Sequence, residues 1–107
     1  MIELTDQEWN ELFDKVEDAI QDLISTFPPD LKFKADAIVC FLSKGIDRNV
    51  LGVANPSQNI ITIYVGNIYE ACHKDVAETL KSARQVFYHE LGHHLHLNEA
   101  ELKERGL

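Results

Sequence analysis

The chain has 107 residues, 45% of them apolar and 26% charged, with a formal net charge of −8. These values fit one hydrophobic core and a single domain over residues 1–107. The negative balance argues against nucleic acid or an anionic membrane as partner, since both need a basic face, and no apolar run approaches the length of a membrane span. The acidic start MIELTDQEWN lacks the basic segment and apolar run of a secretory signal, so a cytoplasmic protein is expected. Cys40 and Cys72 lack CxxC spacing and read as two buried free thiols.

The first element is a helix. Thr5 and Glu8 form a capping box, and Leu4 and Trp9 have the spacing of a hydrophobic staple. Trp9, Leu12, Phe13, Val16, Ile20 and Leu23 then recur at helical spacing, with an acidic face opposite, until Pro28 and Pro29 stop the helix. Within that stripe Trp9 reads as a core anchor. Residues 33–42 alternate and then run apolar, which predicts a strand buried on both faces. SKGIDRN is a polar loop without the glycine spacing of a phosphate loop. LGVA is a very short strand closed by Asn55, Pro56 and Ser57, and NIITIYVG is a β-branched strand. A short helical or irregular link precedes a long helix starting at Asp75, whose capping role Glu78 supports. Val76, Leu80, Ala83, Phe87, Leu91 and Leu95 form its apolar stripe. Asn98 opens a short last helix ending at Gly106, so the preceding helix must break near His96 and Leu97.

The stretch HELGHHLHLNE, residues 89–99, holds four of the five histidines. With His89 at 0° on the helix, Glu90 lies at about 100° and His93 at about 40°, one face of the helix. This is the HExxH arrangement: two imidazoles bind Zn²⁺ and the glutamate serves as general base. Catalytic zinc takes a third protein ligand. On an unbroken helix His96 shares the face but lies about 10.5 Å from His89 along the axis, an awkward span for one ion. With the helix broken before Asn98, Glu99 can turn back to the metal. Glu99 is the favoured ligand, with His96 and Glu101 as alternatives. His94 points away by about 100° and fits a supporting role, and isolated His73 fits the surface.

IITIYVGNIYEAC followed by VFYHELGHHLHLNEAELKERGL resembles the short bacterial zincin-like metallopeptidases, the minimal zincins. The match covers about residues 50–107. The resemblance implies zinc-dependent hydrolysis of a peptide or protein substrate, with Glu90 catalytic and His89, His93 and Glu99 on the metal. It also places Glu99 at the third-ligand position. Where the family has a turn-forming glycine this chain has His96, and the usual aspartate is Glu99, one methylene longer. The expected fold is α/β of the α+β kind: an N-terminal helix, a small mixed sheet of about three strands, the HExxH helix and a short C-terminal helix. LGVA would be the edge strand beside the site, where extended peptide adds to the sheet. Tyr64 and Tyr69 are candidate donors to a transition state. The rival reading is a non-catalytic metal-binding or protein-interaction domain on the same scaffold. Oligomeric state is not legible.

Overall fold

The computed structural model describes residues 4–45, 49–96 and 100. Its elements run α1 (Asp6–Ser25), α2 (Pro29–Asp36), β1 (Val39–Ser43), β2 (Gly52–Asn55), β3 (Ile60–Tyr64), α3 (Val65–Ala71) and α4 (Val76–His94). The fold is α+β, with four helices among the described residues and a three-stranded mixed sheet in the order β1-β3-β2. The expected helix after Asn98 lies outside the described residues.

α1 forms where its caps and periodicity place it. Thr5 Oγ1 accepts from the Glu8 amide at 3.1 Å, and the Glu8 carboxylate accepts from the Thr5 amide at the same distance. Such a cap stabilises a helix by about 1 kcal/mol. Trp9, Leu12, Val16, Ala19, Ile20 and Ile24 are buried. Trp9 meets Phe13 edge-on at 5.8 Å between ring centroids, and the Lys44 ammonium sits 5.1 Å above the indole.

The next segment corrects the sequence reading. Residues 33–36 are not strand but the last turn of α2, and β1 begins only at Val39. Pro29 occupies the first helical position, where its fixed φ favours a helix and its missing amide costs nothing. Leu31 and Ala35, four apart, supply the buried side, while Phe33 is 78% exposed. Similarly, Val65 and Gly66 begin α3 rather than continue β3.

β1 pairs parallel to β3 and β2 pairs antiparallel to it. Residues opposite one another share a face. Ile61 and Ile63 are fully buried, and Cys40, Leu42, Gly52 and Ala54 lie beside them on the helix-covered face. The other face is open and carries exposed Val39, Phe41 and Val53 with half-buried Ile60, Thr62 and Tyr64. β1 is therefore covered on one face rather than two. α4 packs on β2 and β3, and α1 packs mainly on α4. Phe87 and Leu91 of α4 join Ile61, Ile63, Val16 and Ile20 in one core cluster, each side chain contributing about 1.5–3 kcal/mol by burial. Of the predicted α4 stripe, Ala83, Phe87 and Leu91 are buried, Leu80 and Leu95 are half-buried, and Val76 is exposed. Both cysteines are free thiols and half-buried rather than fully buried. Among the described residues no helix is long and apolar enough to cross a membrane.

Candidate metal centre

α4 carries the cluster because its start is fixed and its stripe is regular. Asp75 caps it, accepting from the Glu78 amide at 2.9 Å, and the buried Thr79 hydroxyl donates to the Asp75 carbonyl at 2.6 Å. The helix then runs 19 residues, Val76–His94, in one register. That register turns His89, Glu90 and His93 to one side. The imidazoles of His89 and His93 have centroids 4.3 Å apart with planes inclined at 63°. Taking one donor atom from each of His89, Glu90 and His93, all three lie within 4.8 Å of one another.

The members of the cluster differ in exposure. His89 and His93 face solvent, while Glu90 is only 8% exposed. Glu90 Oε1 lies 3.4 Å from His93 Nδ1. The stem of Glu90 runs against Gly52 of β2. A Cβ at Gly52 would come 2.6 Å from Val86 Cγ1 and 3.3 Å from Glu90 Cγ. Glycine thus lets the strand backbone approach the helix at the site. Between them opens a shallow cleft of about 490 Å³, lined by Asn49, Leu51, Gly52, Ser82, Gln85, Val86, His89 and Glu90. The expected edge strand beside the site is β2.

Sequence reading passed over Ser82, Gln85 and Val86 as site residues. They lie seven, four and three residues before His89, so stepping back along its helical face would have found them. Tyr69 lines a different hollow, with Leu4, Leu12 and Val76, and Tyr64 is not among the cleft residues. His73 is exposed, in the turn before α4.

The helix breaks where expected. α4 ends at His94, and His96 takes the left-handed conformation with φ 58°. Its amide donates to the His93 carbonyl at 3.1 Å, and the Leu95 amide donates to the Leu91 carbonyl at 3.0 Å. A left-handed residue just past the last turn is the usual helix stop, normally a glycine; a side chain there costs roughly 1–2 kcal/mol. Asn98, Glu99 and Glu101 lie outside the described residues.

His94, adjacent to the cluster, points inward. Its Nε2 is 2.9 Å from Asn59 Oδ1, while Asn59 Nδ2 donates to the Ala37 carbonyl at 2.7 Å. The amide nitrogen being used, Asn59 presents its oxygen and His94 donates from Nε2. Burial holds the His94 pKa below its ordinary value, and the neighbouring His96 acts in the same direction. His94 thus ties the last turn of α4 to the residue before β3.

A family model described as zincin-like metallopeptidase matches residues 14–107. No curated protein matches the chain.

Proposed function

The chain belongs to the zincin-like metallopeptidase family, and from that premise we propose that it is a zinc-dependent peptidase acting on a peptide or protein substrate. In this reading residues 1–107 form one catalytic domain, His89, His93 and Glu99 hold the metal, and Glu90 is the general base. The observation that carries it is the convergence of His89, Glu90 and His93 within 4.8 Å beside an open cleft. Two imidazoles one helical turn apart with an adjacent carboxylate fit zinc, which favours nitrogen and carboxylate ligands in a tetrahedral set. The turn at His96 supports Glu99 as third ligand, because the chain leaves the helix axis before that residue.

When bound, zinc lowers the pKa of a water molecule and polarises the scissile carbonyl. Glu90 takes the proton of the attacking water and delivers it to the leaving amine. Its burial beside Gly52 holds the carboxylate near His93 and limits competing solvent. β2 borders the cleft, so an extended substrate can lie along its edge by backbone pairing. Asn49, Ser82 and Gln85 line that cleft with uncharged polar side chains.

Glu90→Gln separates the roles. We expect the variant to keep its zinc by elemental analysis and to lose peptide cleavage by about 10²–10⁴-fold in a peptide-library assay. Unchanged cleavage would rule out Glu90 as base. Zinc binding with no cleavage even in the wild type would mark a metal-binding domain instead.

A further inference from the structure

The sheet has a second edge, away from the cleft. β1 and β2 flank β3 on opposite sides, so β1 is about 10 Å from the strand that borders the metal cluster. The Val39 amide donates to the Asn59 carbonyl at 3.0 Å, which turns the polar backbone of Val39, Phe41 and Ser43 toward β3. By alternation, the amides and carbonyls of Cys40 and Leu42 point outward. Among the described residues no strand pairs with that side. Unpaired strand edges are templates for added strands, and natural edges are usually protected by charges, prolines or bulges. The sequence VCFLS contains no charge or proline.

The surroundings specify what would be added. α1 stands off β1 and leaves a groove of about 570 Å³, with an apolar floor from Phe13, Ile20 and Leu42. The exposed carboxylates of Asp14 and Glu17 also line it, with no basic side chain among its lining residues. Glu17 is near enough for its charge to help raise the Cys40 thiol, after burial, to about 11. On the opposite face Val39 and Phe41 are each 58% exposed. An added strand alternates its side chains between these two environments. On one side, a long cationic residue would lay its aliphatic stem over Phe13 and its head between the carboxylates. On the other, an apolar residue would cover Val39 and Phe41.

We propose that the outer edge of β1 and its groove with α1 bind an extended partner segment in which Arg or Lys alternates with apolar residues. A second copy of this chain is disfavoured on charge: β1-to-β1 pairing would bring Asp14 and Glu17 of both copies together, in chains of net charge −8.

The test is backbone amide exchange on the full-length Glu90→Gln chain, with two blocked hexapeptides as probes, one alternating Val and Arg and one alternating Val and Glu. The Val-Arg peptide should slow exchange at Cys40 and Leu42 by about tenfold, and the Val-Glu peptide should not. Asp14→Lys with Glu17→Lys, both exposed and outside the core, should weaken Val-Arg binding by about tenfold. Protection confined to β2, equal protection by both peptides, or none from either would overturn the proposal. So would concentration-dependent protection of Cys40 and Leu42 without peptide, which would identify the occupant as a second copy. None of these outcomes depends on zinc or cleavage.

Discussion

His96 stands at φ 58°, where an L-residue is strained and glycine is not. That left-handed turn keeps the chain from continuing α4, which ends at His94, one residue after His93. His96→Gly should keep the turn and relieve the strain, raising stability by about 1 kcal/mol in denaturant unfolding. If Glu99 is the third ligand, the variant's zinc affinity stays at the wild-type level. A large loss of affinity would make His96 the ligand. His89, Glu90 and His93 were legible in the sequence because helical register alone relates them. Glu99, the proposed third ligand, rests on more than register, because it needs a turn at His96, a residue type that rarely adopts the left-handed conformation.

At the scale of elements, local signals carried the helices. The Thr5 and Asp75 caps and the long apolar stripes fixed α1 and α4 without reference to the rest of the chain. α2 was hidden because residues 33–38 alternate like a strand, while its helical evidence was only Leu31, Ala35 and a proline at the first position. A short segment of this kind is decided by packing. The brace between Asn59 and His94 was also invisible, since its partners are 35 residues apart and meet only once β3 lies beside α4. Asn59→Gly tests the brace while respecting the left-handed φ of 58° at that position. It removes the bond to His94 and the bond to the Ala37 carbonyl, so unfolding should cost about 1–3 kcal/mol less. Amides at the end of α4 should exchange faster. A melting temperature within error of wild type would show that the brace is energetically idle.

For the molecule as a whole, the sheet separates two surfaces. Its β2 edge, approached closely by α4 at Gly52, faces the histidine cluster, and its β1 edge faces the acidic groove under α1. The strand order that makes this division could not be read from the chain, because β3 inserts between β1 and β2 and only long-range pairing determines that. The mixed sheet and the helix-bearing cluster were expected; the open sheet face was not. The proposed peptidase requires a zinc centre built on α4. The most direct measurement is zinc stoichiometry and affinity of purified protein by competition with a chromophoric chelator, for the wild type and His93→Ala. One zinc per chain, bound at least about 100-fold more weakly after loss of this exposed side chain, is the predicted result. A wild-type chain that binds no zinc, or a His93→Ala variant that binds it equally well, would contradict the account.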